Sequence, residues 1–178
     1  SVSAFLLNRS SDLSLTNNIT ALQYAINALY SLSEQADTQF INNDTQNFLQ
    51  LYFPYGRFRI GSQINIPPKC AFRGSGDGSK IIVDYNGNGF IFNNSGTYTT
   101  SNGGCYLGMF DLSFMGTRVN HTSCVLFSNT SNTHMADLRV SRCRFSNFSK
   151  VFDTVNGYWT RMSDCEFILN SIVDLNLG

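Results

Sequence analysis

The sequence predicts an all-β solenoid with an amphipathic capping helix at its N-terminal end. Two short phrases recur in alternation along the chain. The first is an apolar triplet, whose copies begin 26 and then 21 residues apart: Val125-Leu126-Phe127, Val151-Phe152-Asp153 and Ile172-Val173-Asp174. The second places apolar residues around a polar turn: Met109-x-x-Leu112-x-Phe114, Val140-x-x-Cys143-x-Phe145 and Met162-x-x-Cys165-x-Phe167. Strand phrases that repeat together at a short period are typical of coils stacked along one axis.

The composition fits one domain of β-strands separated by polar turns. The chain has 178 residues, and its 12 basic and 12 acidic residues cancel. Because no basic patch is visible, a nucleic-acid partner is not expected. No apolar run approaches the roughly 18–20 residues of a membrane helix, so membrane insertion is not expected either. We divide the chain into an N-terminal arm with the capping helix, 1–48, and the stacked coils, 49–178.

One amphipathic helix is predicted over 18–32. Its apolar residues fall on one helical face, and they are Leu22, Ala25, Ile26, Leu29 and Leu32. Either Asn18 or Thr20 can cap the first turn. The open end of a solenoid exposes unpaired backbone and apolar core, and a helix can cover both. The polar segment 33–47 shows no clear periodicity.

Short alternating strands begin at Leu49 and are separated by turns. The predicted strands before the repeats lie at 51–54, 58–60, 64–66, 70–73, 81–83 and 90–92. The segment 74–79 is a glycine-rich turn, and 98–104 is a flexible loop. From Leu107 the coils run to 178 without a terminal helix or a charged cap. We therefore expect that the native polypeptide continues or that another subunit covers this end.

Parallel stacking predicts which residues lie above one another. Alignment of the second phrase gives two columns, Asp111–Arg142–Asp164 and Ser113–Arg144–Glu166. If Leu112, Cys143 and Cys165 point inward, both columns point outward, because side chains alternate along a strand. Alternation of acid and base relieves repulsion between coils, so we favour a role in register over a direct functional role. The stacked Cys143 and Cys165 are expected to be buried free thiols rather than a disulfide.

Three phrases in the first coils match a known superfamily. They are Phe53-Pro54-x-Gly56-x-Phe58-x-Ile60, Ile64-x-Ile66-Pro67 and Gly74-x-Gly76-x-x-Ser79-x-Ile81. Together they resemble the N-terminal coils of the pectate-lyase-like superfamily, which includes phage tailspikes and pre-neck appendage proteins, and 20–28 resembles its capping helix. The resemblance is close over about 18–92 and depends on the period alone beyond it. It implies a right-handed single-stranded parallel β-helix, and it is specific for fold rather than function. The Gly- and Asp-rich loop that usually precedes the helix is replaced by 8–18, which contains no glycine.

The chain lacks the catalytic phrases of β-helix hydrolases and lyases, such as Gly-His-Gly or Trp-x-Asp-His. The catalytic candidates are Asp153 and Asp174, which the triplet alignment places in one column, together with Glu166. Two carboxyl groups about 5–5.5 Å apart suit a retaining glycosidase. The alternative to a catalytic pair, which we favour, is that an aspartate next to a turn is repeated simply because the coil itself is repeated. No metal-ligand spacing is visible, and we expect neither a metal nor a cofactor.

A surplus of aromatic residues provides candidate ligand-binding side chains. The rings considered are Tyr52, Tyr55, Tyr85, Tyr98, Tyr106, Tyr158 and Trp159. Of these, Tyr98, Tyr158 and Trp159 lie in predicted loops and are the ligand-binding candidates. Exposed rings on the flank of a solenoid can stack on sugars. The alternative is burial in the core or between subunits.

Two hypotheses about function follow. The first is a virion module of the tailspike or appendage type, which is structural and binds a host-surface polysaccharide. The second is a polysaccharide depolymerase, a glycoside hydrolase or lyase that acts on capsule or O-antigen. The resemblance implies a virion or extracellular location, and a homotrimer or other virion proteins as partners.

Overall fold

The protein is built mainly of β-strands in parallel sheets, with one α-helix near its N-terminus. The computed structural model describes residues 4–5, 15–39, 50–66, 69–84, 86–92, 104–117, 125–129, 134–154, 160–168 and 172–177. The elements in chain order are β1 (Ala4–Phe5), α1 (Leu15–Gln39), β2 (Gln50–Tyr52), β3 (Gly56–Ile60), β4 (Ile64–Ile66), β5 (Lys69–Arg73), a 3₁₀ turn (Gly76–Gly78), β6 (Ser79–Val83), β7 (Asn88–Phe92), β8 (Gly104–Phe110), β9 (Ser113–Gly116), β10 (Val125–Asn129), β11 (His134–Ser141), β12 (Arg144–Ser146), β13 (Lys150–Thr154), β14 (Thr160–Ser163), β15 (Glu166–Ile168) and β16 (Ile172–Leu177).

From β2 onward, successive strands go to three different sheets, and every third strand returns to the same one. Sheet one has the order β1-β2-β5-β8-β11-β14, sheet two β3-β6-β9-β12-β15, and sheet three β4-β7-β10-β13-β16. Every pairing between the described strands is parallel. We call one passage through the three sheets a coil, so coil one is β2–β4 and coil five is β14–β16. The predicted all-β parallel architecture with one helix is confirmed.

The core is a set of stacked phenylalanine rings. In sheet two the rings of Phe114 and Phe145 are 5.4 Å apart with an interplanar angle of 8°. In sheet three Phe127 stacks on Phe90 at 5.1 Å and on Phe152 at 5.5 Å. Parallel in-register strands place like residues above one another, so each ring finds an identical neighbour about one strand spacing away. All five rings are fully buried.

The register of sheet three differs from the predicted triplet alignment. Phe127 pairs with Phe152, which places Val125 opposite Lys150 rather than Val151. A shift of one residue exchanges the two faces of a strand, so the large ring determines which alignment buries the apolar side. Between coils four and five a register shift follows, and Phe152 pairs with Leu175. A three-residue apolar phrase does not contain enough information to reveal either shift.

Helix α1 covers the coil-one end of the stack, as predicted. Leu22, Ile26 and Leu29 are buried in the same core as the strands, and α1 contacts all three strands of coil one. The helix begins at Leu15, so the predicted cap at Asn18 or Thr20 is wrong. It also continues to Gln39, because a polar segment without Gly or Pro can remain helical without an apolar face.

A side-chain amide joins the helix to the first exposed strand edge. Gln23 Nε2 donates to the carbonyl oxygen of Asn65 at 3.1 Å. The backbone N–H of Asn65 donates in turn to Gln23 Oε1 at 3.1 Å. The amide therefore takes the place that a neighbouring strand would take, and it satisfies both backbone groups of Asn65 at the edge of β4.

Candidate functional site

The outer face of sheet one is the candidate site. Along its strands, Leu51, Phe72 and Met109 point into the core and are fully buried, so the residues on either side of them point outward. Strand register assigns these outward residues to two columns. They are Tyr52–Arg73–Phe110–Ser141–Ser163 and Gln50–Ala71–Gly108–Arg139–Arg161.

The centre of this face is an aromatic ring under a guanidinium group. Arg73 Cζ lies 5.2 Å from the centroid of the Phe110 ring. Beside it, a Cβ at Gly108 would lie 2.7 Å from Phe110 Cε2 and 3.3 Å from the Cβ of Ala71. The small residues in the second column therefore let the ring lie flat against the sheet. An exposed cation–π contact of this kind contributes about 0.5–1 kcal/mol.

One buried serine, Ser79, holds the turn that follows β5 at the corner between sheets one and two. Ser79 Oγ donates to the carbonyl oxygen of Phe53 at 2.8 Å, and it accepts the N–H of Ser75, also at 2.8 Å. Ser75 Oγ in turn hydrogen-bonds the hydroxyl of Tyr52 in the first column. The serine of the Gly-x-Gly-x-x-Ser phrase therefore connects two coils and positions the turn beside Tyr52.

Each glycine of the Gly-x-Gly-x-x-Ser motif is required for a different geometric reason. A Cβ at Gly74 would lie 2.5 Å from the carbonyl oxygen of Asp111, so only glycine permits this approach of the backbones. Gly76 has φ +79°, a left-handed conformation that glycine adopts without strain. Gly78 lies under the ring of Tyr55, which is 82% exposed. Tyr55 therefore presents a rigidly supported aromatic ring at the corner between sheets one and two.

Hydroxyl groups continue the first column in coils four and five. Ser163 Oγ donates to Ser141 Oγ at 3.0 Å, and Arg142 Nη1 donates to Ser141 Oγ at 3.2 Å. The first column therefore presents two aromatic rings, a guanidinium group and two hydroxyl groups along the stack, at intervals of roughly 4.8 Å. Apolar rings with polar edges are the features that bind sugars.

The corner between sheets one and two carries the predicted charged columns. Asp111, Arg142 and Asp164 all have positive φ, between 52° and 57°, so the same left-handed turn recurs in three coils. Arg142 donates two hydrogen bonds to the Asp111 carboxylate, at 2.6 and 3.0 Å. These hydrogen bonds hold the pKa of the Asp111 carboxyl below its usual range, against the opposing effect of desolvation. The predicted first column is confirmed.

The second charged column is confirmed in its register. Arg144 pairs with Ser113 on one side and with Glu166 on the other, and Arg144 Nε lies 2.8 Å from Glu166 Oε2. Arg144 Nη1 also lies 3.3 Å from Asp77 Oδ2. Ser113 belongs to the same outward column, because it alternates with the inward Phe114, but it is only 1% exposed.

The catalytic candidates are not brought together. Asp153 pairs with Asn176 and not with Asp174, so their predicted column is wrong. Lys150, not Val151, pairs with Ile172, which moves the alignment by one residue, and the register shift before Phe152 moves it by one more. Asp153 lies on sheet three, where Lys150 Nζ approaches its Oδ1 at 3.3 Å, whereas Glu166 lies on sheet two. The side chain of Asp174 is outside the described residues.

The aromatic ligand-binding candidates Tyr98, Tyr158 and Trp159 also lie outside the described residues. In their place, the structure draws attention to Arg73 and Phe110, which sequence reasoning missed. The sequence did contain a signal for these residues. Arg73 and Phe110 are each the last residue of a strand, directly before the turn that leads from sheet one to sheet two. The strand-end position alone, however, does not say that the two side chains face outward on adjacent coils.

Of the five cysteines, the three with described side chains are free thiols: Cys70, Cys143 and Cys165. Cys143 is buried, as expected, whereas Cys165 is only partly buried. Burial raises the pKa of the Cys143 thiol to about 12. Across the described ranges no group of three or more His, Cys, Asp or Glu side chains is arranged to hold a metal ion. Within the same ranges, no helix combines the length and apolar character needed to cross a membrane.

No family model, curated protein or solved structure matches this chain. The resemblance to the pectate-lyase-like superfamily therefore remains a prediction from the three phrases in coils one and two.

Proposed function

We propose that the chain is a right-handed parallel β-helix module of the tailspike or appendage type, and that the outer face of sheet one binds a host-surface polysaccharide. The right-handed sense is supported by a general rule about connections between parallel strands. A connection that returns a chain to a parallel strand of the same sheet is almost always right-handed, because strands twist in that sense. The step from β2 to β5 through two other sheets is a connection of this type.

The observation that carries the binding proposal is the Arg73–Phe110 pair on its floor of Ala71 and Gly108. Phe110 offers an apolar ring, and the guanidinium offers several N–H donors to sugar hydroxyls. Exposed Tyr55 and the hydroxyl of Tyr52 extend the same surface towards coil one. Because Tyr52, Arg73, Phe110, Ser141 and Ser163 follow one another at the strand spacing, an extended polysaccharide along the stack axis meets one of these side chains in each coil.

The assembly that we propose is a homotrimer on a virion, or an extracellular complex with other virion proteins. Tailspike-like proteins are the basis for this part of the proposal. Sheets two and three remain available for contacts between subunits while sheet one faces the glycan. Light scattering on the folded chain gives the number of subunits.

The binding proposal is tested with an array of purified capsular polysaccharides and O-antigens. For any glycan that the chain binds, Arg73→Ala and Phe110→Ala are each expected to weaken binding about tenfold, which corresponds to about 1.4 kcal/mol. Arg59→Ala is the matched control, because Arg59 is an exposed arginine on sheet two. Undiminished binding by folded Arg73→Ala and Phe110→Ala variants would overturn the assignment of the face.

The depolymerase hypothesis is separated in the same experiment. Each bound glycan is incubated with the chain and analysed for new reducing ends and for unsaturated products. Release of either product establishes an enzyme, and it directs mutagenesis to Glu166 and Asp153. A glycan that is bound and recovered intact supports the binding module.

A further inference from the structure

The second outward column of sheet one contains two arginines that lie directly opposite each other. Arg139 of β11 pairs with Arg161 of β14 in the parallel register. Arg161 is exposed and Arg139 is half-buried. Because adjacent strands are about 4.8 Å apart, two guanidinium groups extend from one small area of the face. We call these two residues, with Ser141 and Ser163 beside them in the first column, the arginine step.

The arginine step differs from the charged columns at the corner between sheets one and two. There, each arginine stands next to an acidic residue of an adjacent coil, so Arg142 binds Asp111 and Arg144 binds Glu166. Like charges directly opposite each other on adjacent strands destabilise a sheet, whereas opposite charges stabilise it. The stability of the sheet therefore does not account for the arginine step, and an anion bound there turns an unfavourable contact into a favourable one.

The residues around the arginine step leave the face positively charged. In the described strands, the two outward columns contain three arginines, Arg73, Arg139 and Arg161, and no acidic residue. The next column contains Lys69, Tyr106 and Asp137, so its formal charges cancel. A surface of one sign attracts ligands of the opposite sign and repels those of its own. The outer face of sheet one therefore favours a polyanion.

The ring of Phe110 lies next to the arginine step. A Cβ at Gly108 would lie 2.7 Å from Phe110 Cε2, so the ring covers Gly108. Gly108 in turn pairs directly with Arg139. The ring therefore belongs to one coil and the first arginine of the step to the next, about 4.8 Å further along the stack. A sugar that stacks on the ring brings the substituents of its neighbour in the polymer to the step.

The donors of the arginine step match an oxyanion. A guanidinium group presents N–H donors in a planar fork that fits two oxygens of a carboxylate or a phosphate. Ser141 Oγ accepts hydrogen bonds from Ser163 and Arg142, and a hydroxyl group that accepts still has its own hydrogen to donate. A neutral sugar can also bind these donors, but it does not compensate two adjacent positive charges.

We propose that the polysaccharide bound by sheet one is acidic, and that its carboxylate or phosphate groups bind at the arginine step while a neighbouring sugar ring stacks on Phe110. This inference rests on the proposed function, since it names the class of glycan that the face binds. The two parts of the face have different tasks. The aromatic ring contributes affinity for sugar rings in general, and the arginine step selects those polymers that are negatively charged.

Matched pairs of polymers test the charge requirement. Polysialic acid and hyaluronan are compared with their carboxyl-reduced forms, which are neutral, and dextran phosphate is compared with dextran. Binding to the full chain is measured by biolayer interferometry at low and at high salt. We expect at least one acidic polymer to bind about tenfold more tightly than its neutral counterpart, and to lose this advantage at high salt because exposed charges are screened. The pair that shows the difference distinguishes a carboxylate from a phosphate ligand.

Variants of the chain locate the recognition of charge. The double variant Arg139→Gln/Arg161→Gln is expected to bind the acidic polymer about tenfold more weakly, because glutamine retains N–H donors but has no charge. Its binding of the neutral counterpart is expected to match that of the parent chain. Arg59→Gln is the control, since Arg59 is exposed on sheet two and pairs with Asp84. The circular dichroism spectrum of each variant shows whether it is folded.

Four results would overturn the inference. They are no binding of any acidic polymer, equal binding of an acidic polymer and its neutral counterpart, undiminished binding by the double variant, and equal weakening by Arg59→Gln. The proposed function fails on a different result, which is glycan binding that Arg73→Ala and Phe110→Ala leave unchanged. A neutral glycan that requires Arg73 and Phe110 but not the arginine step would therefore retain the binding module and exclude the acidic class.

Discussion

At the scale of single residues, side chains at the corner between sheets one and two hold adjacent coils in register. Ser79 Oγ hydrogen-bonds three backbone groups of two coils. Arg142 is hydrogen-bonded to Asp111 and is attracted by the charge of Asp164. Exposed ion pairs contribute about 0–1 kcal/mol each, so the larger effect is on which alignment is adopted. The sequence predicted these columns, because a fixed spacing in adjacent coils is sufficient to align them.

The pH dependence of stability tests the Asp111–Arg142 contact. Because the pKa of Asp111 is lower in the folded chain than in the unfolded chain, its stabilising effect is fully present above the unfolded pKa of about 3.9. It is lost as the pH falls through the folded pKa. Asp111→Asn is therefore expected to reduce stability at pH 7 and to flatten the decline below about pH 4.

The measurement is the urea midpoint between pH 2 and 7. Asp164→Asn is the matched control, because Asp164 stands in the same column and acts on Arg142 only through its charge. If Asp111→Asn and the parent chain lose stability in parallel over this pH range, the Asp111 contact does not contribute to acid stability.

At the scale of elements, the stacked rings explain why the strand phrases tolerate loops of such different length between them. Each strand is held by inward residues of the same type above and below, and Phe145 lies between Phe114 and Phe167. The sequence predicted every strand of coils one and two from alternation and turn residues. It missed the register of sheet three, since one-residue shifts depend on which ring fills the interior.

Truncation of these rings tests the contribution of the stack. Phe145→Ala is expected to cost about 3–5 kcal/mol, because it leaves a cavity inside the core. Phe167→Ala, the matched variant one coil later, is expected to cost roughly half as much, because its ring is only partly buried. Urea unfolding at pH 7 gives both values. Equal losses would mean that the end of coil five is covered in solution.

At the scale of the whole molecule, each coil contacts its immediate neighbours, and α1 covers the coil-one end of the described sheets. Stability in such stacks is approximately a sum over neighbouring coils, so the coils with two neighbours open least often. The helix protects coil one through its buried face and through the Gln23–Asn65 hydrogen bonds. Coil five has a described neighbour on one side only.

Amide hydrogen exchange reports this asymmetry directly. We expect amides of β8, β9, β11 and β12 to exchange slowest, and amides of β14 and β15 to exchange markedly faster. Mass spectrometry of pepsin fragments distinguishes these strands. Equal protection along the whole stack would contradict neighbour-limited stability.

The sequence by itself determined the parallel stacking, the covering helix and the charged columns, because each depends on a local period or on a spacing that adjacent coils share. The tertiary structure alone decided the pairing of Asp153 with Asn176 and the contact of Arg73 with Phe110. Each of these depends on which residues of different coils become neighbours. A change of one residue in a loop or bulge alters those neighbours and leaves the local pattern unchanged.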